Sequence, residues 1–324
     1  NVGPSGEIGE RMGGHWWGGY YGWRWPHGAW IILESTLIAG QNALLLTGDP
    51  SWLDLHRSQN DLLWSLRREE DGVVKVPFRY GRGGWFDWRV MEPRHYAHLY
   101  FMSRDPEDLA RIEERYPDRA AWYATAPHFG KAGHFWPEKW FGYMLGENPD
   151  FPVQALSDTY TCMQQRLDKI DRDDWSDVAH WDVHHWQDLN PVVPEGLIQM
   201  AMGSPAAVYH GGLLHTSVRY FDVLAERPGL PRDVAALVSD FSADTLMLTL
   251  VNTHSLEPRE VLVQAGGYGE HRFVEVQEAG AAGSAPVPVN GKVLRVVLGP
   301  WSQARLRVKM ERYVNRPTYD FPWR

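Results

Sequence analysis

Three stretches of this chain concentrate side chains that could do chemistry. The first, GGHWWGGYYGWRWPHG (13–28), places Trp16, Trp17, Tyr20, Tyr21, Trp23 and Trp25 on a backbone interrupted by Gly18, Gly19 and Gly22. Glycine lets a backbone approach a ligand closely, or bend so that neighbouring rings face one way. Aromatic faces stack on the apolar C–H face of a sugar, and their N–H and O–H tips can bond its rim. Trp16, Trp17, Trp23 and Trp25 are therefore expected to line a ligand, with His15, Arg24 and His27 as polar handles. Core packing at the start of a buried helix is the competing account, and Trp30 is assigned to it.

The second stretch, GRGGWFDWRVMEPRHYAH (81–98), sets Asp87 between Trp85 and Trp88, with Arg89, Glu92, His95 and Tyr96 following. A carboxylate wedged between indoles is partly desolvated, which raises its pKa towards the range of a general acid. The alternative is an Asp87–Arg89 surface pair on a hairpin. The third stretch, AHWDVHHWQDLNPVVPEG (179–196), holds His180, Asp182, His184, His185, Gln187, Asp188 and Glu195. His180 and His184 would share a helical face, as metal ligands often do. Trp, Asn and Pro argue against continuous helix, however, and no H-E-x-x-H occurs. A polar cluster at the mouth of a helical cavity, with His184 and His185 touching substrate, is preferred, with a hydrogen-bonded structural loop as its alternative; no metal and no cofactor is expected.

Composition narrows the choices. The 324 residues are 44% hydrophobic and 23% charged, which is globular. A formal charge of -9 without a basic block argues against nucleic acid as a partner. Cys162 is the one cysteine, so no intrachain disulfide or thiolate cluster is possible. No apolar run reaches the roughly 18 residues needed to span a bilayer, so a soluble chain is expected, in the cytoplasm or secreted. The opening NVGPSGEIGE reads as the inside of a longer or processed protein. GGLLH and QAGGYGEH lack the strand–glycine–helix context of a phosphate loop, and there is no nucleophile elbow.

The elements that must carry these stretches change character along the chain. Fifteen of the 17 tryptophans precede residue 190, and the periodicity shifts from helical to alternating over the same region. A buried helix is expected over 28–46. Asp49 and Asp105, each followed by proline, signal two further helix starts. More helices are expected near 94–103, 136–146, 153–171 and 191–203, six or seven in all. A β-excursion is expected at 72–90. After residue 240 the period becomes two, with strands in DTLMLTLVNTH, REVLVQAGG, HRFVEVQEAG, KVLRVVLG and QARLRVKMERYV. AGAAGSAPVPVN (279–290) is expected to be a flexible loop, and ERPGLPRDVAALV (226–238) a linker with a short helix. The fold expected is thus multidomain α plus β: helical hairpins over 1–235, then a small antiparallel β-sandwich over 240–324. The sandwich is expected to support the helical body, with His254 and His271 dispensable for activity.

This pattern resembles carbohydrate-active enzymes built as an α/α toroid with a C-terminal β-sandwich. The likeness is carried by the TGDPSWLDLHRSQ junction between helices, the aromatic glycine-rich loops and the strands after residue 240. It implies a glycan-cleaving enzyme, acting on a polysaccharide or oligosaccharide. A glycoside hydrolase would use paired carboxylates, with Asp87, Glu92, Glu10 and Asp188 as candidates. A polysaccharide lyase would use a Tyr or His base and a cation or amide against the uronate carboxyl, with Tyr20, Tyr21, His15, His27 and Arg24 available. The analogy of fold leans to hydrolysis. A non-catalytic glycan-binding subunit is the rival. Because such toroids have about twelve helices, the ring is expected to be completed by a missing N-terminal portion or by a second copy in a homo-oligomer.

Overall fold

The computed structural model describes residues 28–81, 84–91, 93–124, 137–181, 185, 189–205, 213–280 and 284–323. Among them the chain is α plus β, with eight α-helices and three antiparallel sheets. Two compact units divide these residues. One holds those up to Leu44 together with Asp49–Ser103, and the other holds Leu45–Gly48 and everything from Arg104 onwards.

In the first unit, α1 (Gly28–Thr47) is followed by a 3-10 turn, Pro50–Leu53, and α2 (Asp54–Ser65). The cap reads as its sequence requires: the Asp49 carboxylate accepts the Ser51 N–H at 2.9 Å, and Pro50 sits where no N–H is needed. Gly40 lies so close to the Trp52 carbonyl oxygen that any Cβ there would collide with it. The buried stripe around α2 is Leu53, His56, Asn60 and Leu63, spaced 3-4-3, so two of its four positions are polar. The excursion expected at 72–90 is a three-stranded antiparallel sheet, β1 (Arg68–Glu70), β2 (Val73–Gly81) and β3 (Gly84–Arg89). Helix α3 (Arg94–Ser103) buries Tyr96, Leu99 and Met102.

The second unit packs helices and sheets together. Its helices are α4 (Pro106–Arg115), α5 (Ala120–Ala124), α6 (Pro137–Met144), α7 (Phe151–Arg172) and α8 (Glu195–Met202), with a 3-10 turn at Trp175–His180. Asp105 caps α4 through the Glu107 N–H at 2.9 Å, and Gly203, at φ 62°, ends α8. A five-stranded sheet runs in the order β10 (Val287–Gly291), β9 (Arg272–Glu278), β12 (Gln303–Glu311), β7 (Thr245–Asn252), β6 (Val234–Phe241). A four-stranded sheet runs β11 (Val293–Leu298), β8 (Arg259–Ala265), β4 (Val218–Asp222), β5 (Arg227–Pro228). Along β7 burial alternates strictly, with Leu246, Leu248 and Leu250 inward; on β8, Val261, Val263 and Ala265 are fully buried.

Two expectations are corrected. Residues 226–238 are not a helical linker: β5 and most of β6 lie there, and the strands begin at Val218, before the expected domain boundary, which falls inside β6. Alternating apolar residues in DVAALVSDF already carry the strand period, and the flanking prolines obscure it. The loop expected over 279–290 contains part of β10. Side chains tie helices and sheets together. Arg104 donates to the Ser242 carbonyl at 2.8 Å and to Ser217 Oγ at 3.0 Å, Tyr220 Oη donates to the Ala201 carbonyl, and Trp140 stacks on Phe241 at 5.7 Å.

Candidate functional site

Of the residues selected from sequence, Glu10, His15, Trp16, Trp17, Tyr20, Tyr21, Trp23, Arg24, Trp25, His27, Glu92, His184 and Asp188 lie outside the described residues. Those that are described have definite surroundings. On β3, the Asp87 carboxylate accepts a bidentate pair of hydrogen bonds from Arg89, Nε to Oδ1 at 2.9 Å and Nη2 to Oδ2 at 2.8 Å. This is the Asp87–Arg89 pair that the hairpin alternative describes, with the Asp87 side chain partly exposed. Trp85 and Trp88 are half-buried, and the Arg68 guanidinium lies 3.8 Å over the Trp88 ring. His185 Nε2 is 2.8 Å from an Asp173 oxygen, and its ring lies 4.3 Å from that of Trp181. His180, which the H-x-x-x-H-H spacing paired with His184, is exposed and bonds Asp177. No metal-binding group of three ligands occurs among the described residues.

The first unit gathers a polar cluster of its own. Leu53, His56, Asn60 and Leu63 share the inward face of α2, so His56 and Asn60, one turn apart, enter the interior together. From α3 come His95 and Tyr96. The His56 and His95 rings are 6.1 Å apart, centroid to centroid. Tyr96 Oη donates to Met91 Sδ at 3.2 Å and lies 3.5 Å from the Asn60 carbonyl oxygen. All four side chains are at most 3% exposed. The Asn60 carboxamide makes no hydrogen bond through either its oxygen or its nitrogen. A buried carboxamide in that condition costs about 1–3 kcal/mol, so it marks a place where a further polar group would be favoured. No carboxylate among the described residues of this unit is buried. What it offers chemically is two imidazoles, one phenol and one amide.

The second unit holds two more clusters. Glu195, in the first turn of α8, is 9% exposed with Oε2 unbonded. Burial pushes its carboxyl pKa up, against its own backbone N–H and the Arg166 charge. One turn on, Gln199 gives its amide N–H to the Pro205 carbonyl at 2.9 Å. The second cluster is built around Glu270. The turn after β8 wraps its carboxylate, which accepts the Tyr268 N–H at 2.8 Å and the Gly267 N–H at 3.1 Å. A Cβ on Gly266, which has φ 85°, would collide with that carboxylate. Burial lifts Glu270 to about 7. His271 and His215 beside it are driven down by the same burial and by Arg312, His215 to about 3.

Sequence reasoning named His95, Tyr96 and Glu195 without giving them roles, and passed over His56, Asn60 and Glu270. The signals were present. Two polar residues fall on the 3-4-3 apolar stripe of DLHRSQNDLLW, and three glycines surround the approach to Glu270 in AGGYGEH. The QAGGYGEH glycines serve a buried carboxylate of the chain itself.

The chain matches the family model described as a domain of unknown function, DUF8034, over residues 1–76 and 67–198, and it belongs to that family. No curated protein and no solved structure matches it.

Proposed function

We propose that this chain is a glycan-cleaving enzyme that acts by β-elimination on a uronate-containing polysaccharide or oligosaccharide. The observation that carries this reading is the His56–Asn60–His95–Tyr96 cluster, with its unbonded carboxamide. Elimination needs a base for the proton α to the carboxyl group and a donor to the carboxylate as charge builds there. Tyr96 or an imidazole would take the α proton. The electron pair of that C–H bond would form the new C=C bond. The glycosidic C–O bond at the β carbon would break, and its electron pair would leave on the oxygen, which is then protonated. The Asn60 N–H groups would hold the uronate carboxylate. Trp85, on the sheet of the same unit, would offer a stacking face for a neighbouring sugar, as would the side of Trp88 away from Arg68. The cluster is closed to solvent, so this reading requires the unit to open for a glycan.

Glycoside hydrolysis is the second reading, and Glu195 favours it: a desolvated carboxyl with a raised pKa and a free oxygen is suited to act as a general acid. Asp87, committed to Arg89, is a poor partner for it. The architecture we infer is a partial α/α toroid followed by a β-sandwich. Its support is the run of helical pairs and two sheets, each with one buried apolar face, whose strands β11, β7 and β9 touch.

Incubation with uronic-acid glycans and with neutral glycans separates these readings. Ultraviolet absorbance from a new C=C bond, lost in Tyr96→Phe and Asn60→Ala, is the expected result. New reducing ends without that absorbance, lost in Glu195→Gln, would identify a hydrolase. Binding without either product would make the chain a glycan-binding subunit.

A further inference from the structure

The segment 312–323, after β12, forms neither helix nor strand, and none of its residues is buried. Its backbone is nevertheless fastened to the turn after β8. The Tyr313 N–H donates to His271 Nδ1 at 3.0 Å, and the Asn315 N–H to the Glu270 carbonyl at 3.1 Å. The Asn315 side-chain amide donates to the His271 carbonyl at 2.6 Å, and the Thr318 N–H to the Tyr268 carbonyl at 2.9 Å. Further on, Phe321 and Trp323 stack on each other and stand edge-on to Phe221 of β4. The receiving turn is of another kind. Glu270 and His271 are buried, and the Glu270 carboxylate shapes the turn by accepting the Gly267 and Tyr268 N–H groups. A segment with few buried apolar contacts, bonded to a buried receiver, opens at lower cost than the receiver does.

Tyr313 is the point where this segment grips the rest of the chain. Its φ of 54° is left-handed, which a bulky aromatic residue rarely adopts, so the backbone there is strained. Its ring stands edge-on to His271 at 4.6 Å, and its carbonyl oxygen lies against Gly48, where a Cβ would come within 2.6 Å of it. Gly48 ends the stretch Leu45–Gly48, which belongs to the second unit although the chain on both sides, up to Leu44 and from Asp49 to Ser103, belongs to the first. Asp49 caps the 3-10 turn that leads into α2, and α2 carries His56 and Asn60.

We propose that the C-terminal segment 312–323 is a releasable strap: docked, it holds Leu45–Gly48 to the second unit through Tyr313, and released, it loosens the chain leading into α2. The strain at Tyr313 opposes docking while the hydrogen bonds to the turn favour it, which is the balance that release requires. The purpose of the strap rests on the reading above, in which the His56–Asn60–His95–Tyr96 cluster must open to take a glycan; the strap then sets how readily it opens.

Hydrogen exchange of the whole chain, without glycan, is the test. Asn315→Pro removes both Asn315 donors, and a chain lacking 313–324 removes the strap outright. In both, amides of 45–65 should exchange roughly tenfold faster than in the wild type, while those of β7 keep their protection. The deletion decides where the two differ. Unchanged exchange over 45–65 would overturn the proposal, because the segment would then be an ordinary terminus. Loss of protection in β7 as well would also overturn it, because the segment would then be part of the unit's fold. Failure of the chain to cleave any glycan would refute the proposed function and leave this result standing.

Discussion

Glu270 Oε1 lies 3.8 Å from Nε2 of His271, both side chains are almost wholly buried, and burial moves their pKa values in opposite directions. Arg312, His215, Arg104, Tyr313 and Tyr268 are the charged and titratable neighbours that face them among the described residues. The consequence is a stability that depends on pH. Glu270 titrates at about 7 when folded against 4.5 when unfolded, so its contribution is present below 4.5 and lost as pH rises through 7. His215 titrates at about 3 against 6.5, so its contribution is present above 6.5 and lost as pH falls towards 3, and His271 follows the same sign. Urea midpoints of the wild type should therefore peak near pH 6.5. Glu270→Gln should lose the decline between pH 6.5 and 7.5. Identical pH profiles for the two proteins would show that Glu270 does not titrate there.

Arg104 should prove costly to replace even conservatively. Its guanidinium reaches the Ser242 carbonyl and Ser217 Oγ while lying 4.4 Å over the Phe241 ring, and it is buried. Lysine lacks the planar fork that makes both bonds at once. Arg104→Lys should destabilise the second unit by about 2–3 kcal/mol, read as a shift in urea midpoint. A change within experimental error would mean that an ammonium makes the same bonds.

Leu248 sits fully buried at the centre of β7, opposite Leu306 of β12 and Val238 of β6. Leu248→Ala should cost about 2–5 kcal/mol and lower the melting temperature of the second unit. Leu256→Ala, at an exposed position outside the strands, should be close to neutral. Equal effects from the two would contradict the assigned strand register.

The parts of this fold that were legible in the sequence are those fixed by local chemistry. Asp-Pro starts at 49 and 105, the alternation of TLMLTLVN and the glycine-flanked excursion before residue 90 each point to one backbone state on their own. Strand β6 was hidden because prolines on its N-terminal side read as a linker, and its pairing with β7 is what makes it a strand. The clusters were harder to read because they depend on distance in the fold. His56 and Asn60 become notable only when α3 brings His95 and Tyr96 against them, and Glu270 only when a turn folds over its carboxylate. At Asp87 the flanking tryptophans drew attention to desolvation, while the residue two places on, Arg89, pairs with its carboxylate.

Asp87 supplies the last prediction. Its sequence context points to a general acid, and its geometry offers the alternative of a hairpin residue paired with Arg89. Its φ of 59° is left-handed, a conformation that aspartate and asparagine tolerate better than most residues. Both its oxygens engage Arg89, whose side chain is half-exposed, so the pair is worth no more than about 1 kcal/mol. Asparagine in place of this aspartate would keep the backbone preference and lose only the charge. Asp87→Asn should therefore leave the proposed glycan-cleaving activity within about threefold of wild type and stability within about 1 kcal/mol. An acid catalyst would behave otherwise, since removing a positioned general acid costs on the order of 100-fold or more. Steady-state turnover of a folded Asp87→Asn protein distinguishes the two, and a loss of that size would return the hairpin, and hydrolysis with it, to the centre of the mechanism.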